Sequence, residues 1–180
     1  AKLVFLTDSG VFSRTEIDKG TEILLNALPE ELTGSLLDMG CGYGVIGVTL
    51  GKRYPGLSVV MSDVNERAVE LSRRNAQRNG VPARVMQSDG YADVPFQRMD
   101  WIVQNPPIRA GKSVIYAMFA EGARRLEPSG ELWLVIRKQQ GAESAVRYLK
   151  TLFGRVEAVS KKGGFWVLRC TQPAERPDEE

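Results

Sequence analysis

Apolar residues along this chain recur in two alternating rhythms: short runs bounded by glycine or proline, and longer stripes spaced three and four apart. Ile23, Leu24, Ala27 and Leu28 form the first stripe, so Ile17 to Leu28 is predicted as a helix closed by Pro29. Ser35 to Met39 reads as a short buried strand, and a glycine-rich turn leads from it into a helix over Val45 to Tyr54. Leu57 to Ser62, rich in β-branched residues, is the next strand. Glu66 to Asn79 is a helix with Asn65 as its N-cap and Gly80 as its stop. Ala83 to Gln87 and Trp101 to Gln104 read as strands, the second ending at Asn105-Pro106-Pro107. A helix over Ser113 to Leu126 is closed by a Pro128-Ser129-Gly130 turn, and Glu131 to Arg137 is the apolar strand after it. Glu143 to Phe153 is a helix, and Val156 to Ser160 with Phe165 to Cys170 suits an antiparallel hairpin around Lys161 to Gly164. Strands alternating with helices predict an α/β domain with a mainly parallel sheet.

A length of 180 residues fits one domain: an N-terminal extension with a helix over 1–34 and a core over 35–170. Residues 171–180, TQPAERPDEE, are polar and acidic and are expected to be disordered. No apolar run approaches the roughly 18 residues of a membrane span, and the first residues lack a signal-peptide centre, so a cytoplasmic protein without a membrane partner is expected. Cys41 and Cys170 have neither zinc-site nor redox-pair spacing, so no metal is expected. The absence of histidine removes Ser-His-Asp and Cys-His chemistry and the usual general base. Catalysis must then rest on positioning, hydrogen bonds or carboxylates. Net charge is only +2, yet 137–169 carries eight basic residues against Glu143 and Glu157. That stretch reads either as a solvated face or as a surface for phosphates.

Leu36-Leu37-Asp38-Met39-Gly40-Cys41-Gly42-Tyr43-Gly44 runs from a buried strand into a helix. Glycines there let the backbone turn sharply and approach a ligand, and the free N–H groups of the helix favour an anionic group. Gly42, Gly44 and Gly47 also satisfy the dinucleotide pattern, with Asp63 placed to bond a ribose hydroxyl, so a nicotinamide oxidoreductase is a rival. Against it stand a helix before the first strand, little chain for a substrate domain, and the triplet Gly40, Gly42, Gly44 behind Asp38. Asp89-Gly90, after the third strand, reads either as an acceptor for an adenine amino group or as a simple turn.

Asn105-Pro106-Pro107-Ile108 carries the most chemistry. Two prolines end the strand ladder and stiffen the backbone, so the Pro106 carbonyl and the Asn105 side-chain oxygen can form a fixed pair of acceptors. Such a pair suits an amine on a base ring. Hydrogen bonds to its N–H groups help the nitrogen pyramidalise and aim its lone pair, which needs orientation and dipoles but no histidine.

These motifs together resemble the class I, Rossmann-like methyltransferases that act on amino nitrogens. Gly10-Val11-Phe12-Ser13, Asp18-Lys19-Gly20-Thr21, Gly130-Glu-Leu-Trp-Leu-Val and Gly164-Phe-Trp-Val-Leu-Arg are similar to the methyltransferase small domain family, which includes small-subunit ribosomal RNA guanine-N2 methyltransferases. The resemblance implies a seven-stranded sheet with helices on both faces and an antiparallel last strand. It implies S-adenosylmethionine as cofactor, S-adenosylhomocysteine as product and ribosomal RNA or a ribosomal subunit as partner. Asp38, Gly40, Cys41, Gly42 and Gly44 would lie at the amino-acid part of the cofactor, Asp63 and Val64 at the ribose, and Asp89 and Gly90 at the adenine. Asn105, Pro106, Pro107 and Ile108 would hold the target amine, with Asn105, Phe12 and the Asp18 to Thr21 stretch near the reactive methyl. Ile108 stands where the family commonly has an aromatic residue, so Phe12 or Phe165 is a candidate ring. Arg109 and Lys112 would touch a substrate phosphate or belong to a solvated loop. Adenine N6, cytosine N4 and protein glutamine N5 remain other targets for the same corner, and a non-catalytic RNA-binding module is the reading without chemistry.

Overall fold

The computed structural model describes residues 3–7 and 17–175. The strands are β1 (Ser35–Met39), β2 (Ser58–Asp63), β3 (Ala83–Gln87), β4 (Met99–Gln104), β5 (Leu126–Arg137), β6 (Phe153–Lys162) and β7 (Phe165–Pro173). The helices are α1 (Lys19–Ala27), α2 (Val45–Arg53), α3 (Glu66–Arg78), α4 (Lys112–Arg124) and α5 (Ala142–Leu149). One seven-stranded sheet runs in the order β3-β2-β1-β4-β5-β7-β6. Its first five strands are parallel, and β7 is reversed between β5 and β6. The parallel portion has the dinucleotide-fold strand order; the reversed β7 sets this sheet apart from it.

Burial on both faces follows from the period of two along each strand. Leu36 points into one core with Leu24, Val48, Met61, Leu71 and Val103, under α1, α2 and α3. Its neighbour Leu37 points into the other with Ile102, Phe119, Leu132, Leu149 and Leu168, under α4 and α5. Local signals set the helix starts. Asn65 caps α3 by accepting from the N–H groups of Arg67 and Ala68, and Asp18 caps α1 by accepting from Thr21. No helix among the described residues is long and apolar enough to cross a membrane.

Some element ends shift, with α4 stopping at Arg124 and α5 at Leu149, short of the expected Leu126 and Phe153, which instead open β5 and β6. Three further expectations change. Pro128-Ser129-Gly130 does not separate a helix from a strand but lies within β5, because that strand pairs with β4 on both sides of it. Met99 pairs with Leu126 and Trp101 with Glu131, so the surplus residues bulge out at the start of the strand. The hairpin turn shrinks to Gly163-Gly164, with φ of 57° and 80°, which suits a two-residue loop. The expected disordered segment begins too early at 171: Thr171 pairs with Arg155, Pro173 with Phe153, and the Ala174 N–H reaches the Leu152 carbonyl at 2.9 Å. These ladder bonds outweigh the polar composition of the segment; residues 176–180 lie outside the described residues.

Candidate active site

The register lines up strand ends. Met39 pairs with Ser62 on one side and Gln104 on the other, while Asp63 pairs with Gln87. One residue further, Gly40 and Asn105 leave adjacent strands at the same edge, beside Asp63. The chain order of the sheet reverses between β1 and β4, so this edge is the switch point where open α/β sheets hold ligands.

The glycine loop is held from several sides. Gly40, Gly42 and Gly44 have φ of 71°, 56° and 97°, a region that side chains rarely adopt. The Gly40 and Cys41 N–H groups donate to the Ser62 carbonyl at 2.8 and 2.9 Å. Asp63 accepts the Gly42 N–H on Oδ2 and the Asn65 N–H on Oδ1, each at 2.9 Å. From α3, the Ser72 hydroxyl donates to the Gly42 carbonyl at 2.7 Å. The glycines divide into two jobs. A Cβ on Gly44 would stand 3.2 Å from Ser72, and one on Gly47 would overlap Met61 at 2.5 Å, so these two serve helix packing. A Cβ on Gly40 or Gly42 would meet no other described atom within 4 Å, which leaves the outer side of the loop open for a ligand to lie against.

Asp38 braces this loop from below. It is fully buried, and its Oδ2 accepts the Gly47 N–H at 3.0 Å while Oδ1 has no partner among the described residues. Burial pushes its pKa up to about 7; the Gly47 bond opposes the rise and nearby Asp63 adds to it. Cys41 is buried with Sγ 3.3 Å from the Ser72 hydroxyl, and burial pushes the thiol well up. It is filler in the loop and not an activated nucleophile.

Asn105 emerges half-buried from β4. Its Nδ2 donates to Asp18 Oδ2 and to Thr21 Oγ1, both at 3.0 Å, so the start of α1 clasps the amide. Among the described residues nothing donates to Asn105 Oδ1 or to the Pro106 carbonyl. Pro107 opens a single 3₁₀ turn, Ile108–Ala110. Ile108 is half-buried against the core under α4.

The remaining candidates scatter around this edge. Thr21 is buried and touches Asn105. Val64 is 61% exposed, Asp89 is exposed, and Gly90 has φ of 55°. Arg109 and Lys112 are exposed beyond the corner, with Lys112 Nζ 5.4 Å from the Tyr116 ring. Phe165 is buried, with two ring carbons 3.0 and 3.3 Å from a Cβ built on Gly20 and the Arg137 guanidinium 4.7 Å from its ring centre. Phe12 and the Gly10 to Ser13 stretch lie outside the described residues. Sequence reasoning missed how Asp18 reaches Asn105 across 87 residues, and the loop-bracing role of Ser72. The family resemblance placed Asp18 near the reactive methyl, but no local signal pairs it with a strand end.

Sheet order, reversed seventh strand and glycine loop at the switch point make this a Rossmann-like methyltransferase fold. The chain belongs to the methyltransferase small domain family, which matches residues 2–169. It is 47% identical over 169 residues to the uncharacterized protein YbxB of Bacillus subtilis, covering 92% of this chain and 84% of that one. It is 42% identical over 173 residues to the ribosomal RNA small subunit methyltransferase C of Aeromonas hydrophila, covering 92% of this chain but 48% of that one. Among solved structures, a T. thermophilus 16S rRNA N2 methyltransferase (RsmC) in complex with AdoMet and guanosine superposes with a TM-score of 0.80 at 28% identity. That match covers 91% of this chain and 45% of the other, so this chain spans about half the length of the ribosomal methyltransferases it resembles.

Proposed function

We propose that this chain transfers a methyl group from S-adenosylmethionine to an exocyclic amino group, guanine N2 of small-subunit ribosomal RNA. The observation that carries the reading is the acceptor pair at the end of β4. Asn105 Oδ1 and the Pro106 carbonyl are free of donors among the described residues, and they leave the sheet beside the glycine loop.

Bound S-adenosylmethionine supplies an electrophilic methyl carbon. Gly40 to Gly44 would hold its amino-acid part against the open side of the loop, Asp63 and Val64 its ribose, and Asp89 and Gly90 its adenine. The acceptor pair binds the two N–H groups of the target amine, draws its nitrogen out of conjugation and turns the lone pair toward the loop. The surplus proton passes to water, because an amide and a peptide carbonyl are too weakly basic to keep it. Ile108 would cover one face of the base with aliphatic surface.

RNA as partner is supported by where the unpaired cations stand. Arg169 is bound to Glu131 at 2.6 Å, and Arg155 is paired with Glu157. Lys161, Lys162, Arg137 and Lys138 have no ion pair among the described residues, and they gather at the hairpin tip. The tip lies at the Asn105 end of the sheet, against α1. Guanine as target base draws on the likeness to the methyltransferase solved with guanosine.

The test is methylation of ribosomal subunits, bulk RNA and DNA with labelled S-adenosylmethionine, followed by digestion to nucleosides. N2-methylguanosine is the expected product. Asn105→Ala should lower turnover by about 10²–10³-fold, the size seen when one transition-state hydrogen bond is removed, while S-adenosylhomocysteine binding stays within a few-fold. Undiminished methylation by that variant would take Asn105 out of the reaction.

A further inference from the structure

We infer that Asp18 is a positioning residue for methyl transfer, whose carboxylate decides which end of the Asn105 amide faces the substrate. The inference rests on the function proposed above. A primary amide is nearly symmetric in shape, and half a turn about its last bond exchanges an acceptor for a two-hydrogen donor. With the NH2 outward, Asn105 would turn hydrogens toward the hydrogens of the target amine and lose the interaction that aims the nitrogen.

Asp18 removes that choice. An ionised carboxylate only accepts hydrogen bonds, so the Asn105 atom 3.0 Å from Asp18 Oδ2 has to be the amide nitrogen. Thr21 Oγ1, 3.0 Å from the same nitrogen, is a hydroxyl that satisfies either orientation, so it follows the choice and does not make it. A charged acceptor also binds a neutral N–H more strongly than a neutral one does. The position of the carboxylate is fixed in turn, because the same Oδ2 accepts the Thr21 backbone N–H at 3.1 Å as the N-cap of α1. One oxygen thus starts a helix and orients an amide that lies 87 residues away.

The two duties are separable by side-chain length. In Asp18→Ser the hydroxyl still caps α1, but it is too short to cap and to reach Asn105 at once. In Asp18→Asn the side-chain oxygen occupies the place of Oδ2 and serves both. With the chain methylating RNA in steady state, Asp18→Ser should lower kcat ten- to a hundred-fold, leaving KM for RNA, S-adenosylhomocysteine binding and Tm close to the parent. Asp18→Asn should recover most of that turnover. Equal kcat for Asp18→Ser and the parent overturns the inference. So does a joint fall of both variants with Tm intact, since the placement of an oxygen would then not be what matters. A loss of kcat that only tracks a loss of Tm also overturns it, leaving Asp18 as a helix cap. If the parent methylates no amine, the proposed function fails first; if the parent methylates and Asp18→Ser keeps pace, only the role of Asp18 falls.

Discussion

Asp38 is an acid placed where an acid is costly: no part of it reaches water, and one of its oxygens has no donor among the described residues. Its pKa, ordinarily near 3.8, is pushed up to about 7, chiefly by burial. The folded chain therefore holds a proton between these values that the unfolded chain has released. The stabilisation linked to that proton is complete below the unfolded value and is lost as pH rises through about 7. Asp38→Asn cannot titrate and keeps an oxygen for the Gly47 N–H. Comparing cofactor-free Tm at pH 5 and pH 8, the parent should lose ground to the variant at the higher pH. Parallel profiles would mean that Asp38 is already ionised at pH 5.

Among the elements, α3 does more than cover the sheet. Asn75 and Asn79, one turn apart, grip the N-terminal segment as a neighbouring strand would. Asn79 exchanges hydrogen bonds with the backbone of Val4 at 3.1 and 2.9 Å, and Asn75 with that of Leu6 at 2.6 and 3.0 Å. Asn75 Nδ2 also donates to the Tyr43 carbonyl in the glycine loop at 2.7 Å, and Phe5 sets its ring edge-on to Tyr43 at 5.9 Å. Asn75→Ala leaves buried backbone groups unsatisfied, so a loss of about 1–3 kcal/mol is expected in chemical denaturation, with weaker S-adenosylmethionine binding by calorimetry. Full affinity in that variant would show that the loop keeps its shape without the clasp. The limits of α3 could be read from the chain because Asn65 and Gly80 act within a turn of themselves. The bulge in β5 and the extra length of β7 could not, because both depend on partners far along the sequence. The proposed acceptor pair was suggested by Asn105-Pro106 for the same local reason, while the clasp of Asn105 by Asp18 and Thr21 belongs to tertiary structure.

At the scale of the whole molecule, the net charge of +2 hides a segregation. Along the β6–β7 hairpin the cations in the body are neutralised by Glu131 and Glu157, and those at the tip are not. Lys161 covers the Trp166 ring at 4.0 Å, and Gly163 at the tip borders the Lys19 side chain. Replacing both Lys161 and Lys162 with alanine should raise KM for RNA and flatten the salt dependence of binding, by about one unit in the log–log slope for each phosphate no longer neutralised. An unchanged slope would place the RNA elsewhere. The bulge at Pro128–Gly130 sits at the opposite rim of the sheet, where β5 begins and where Pro128 and Ser129 face solvent. Strand length is already mismatched there without any effect on the register at Gln104. A fluorophore or a peptide tag grafted at Ser129 can therefore report on the protein from behind, its attachment point insulated from the Asn105 edge by the length of the parallel strands.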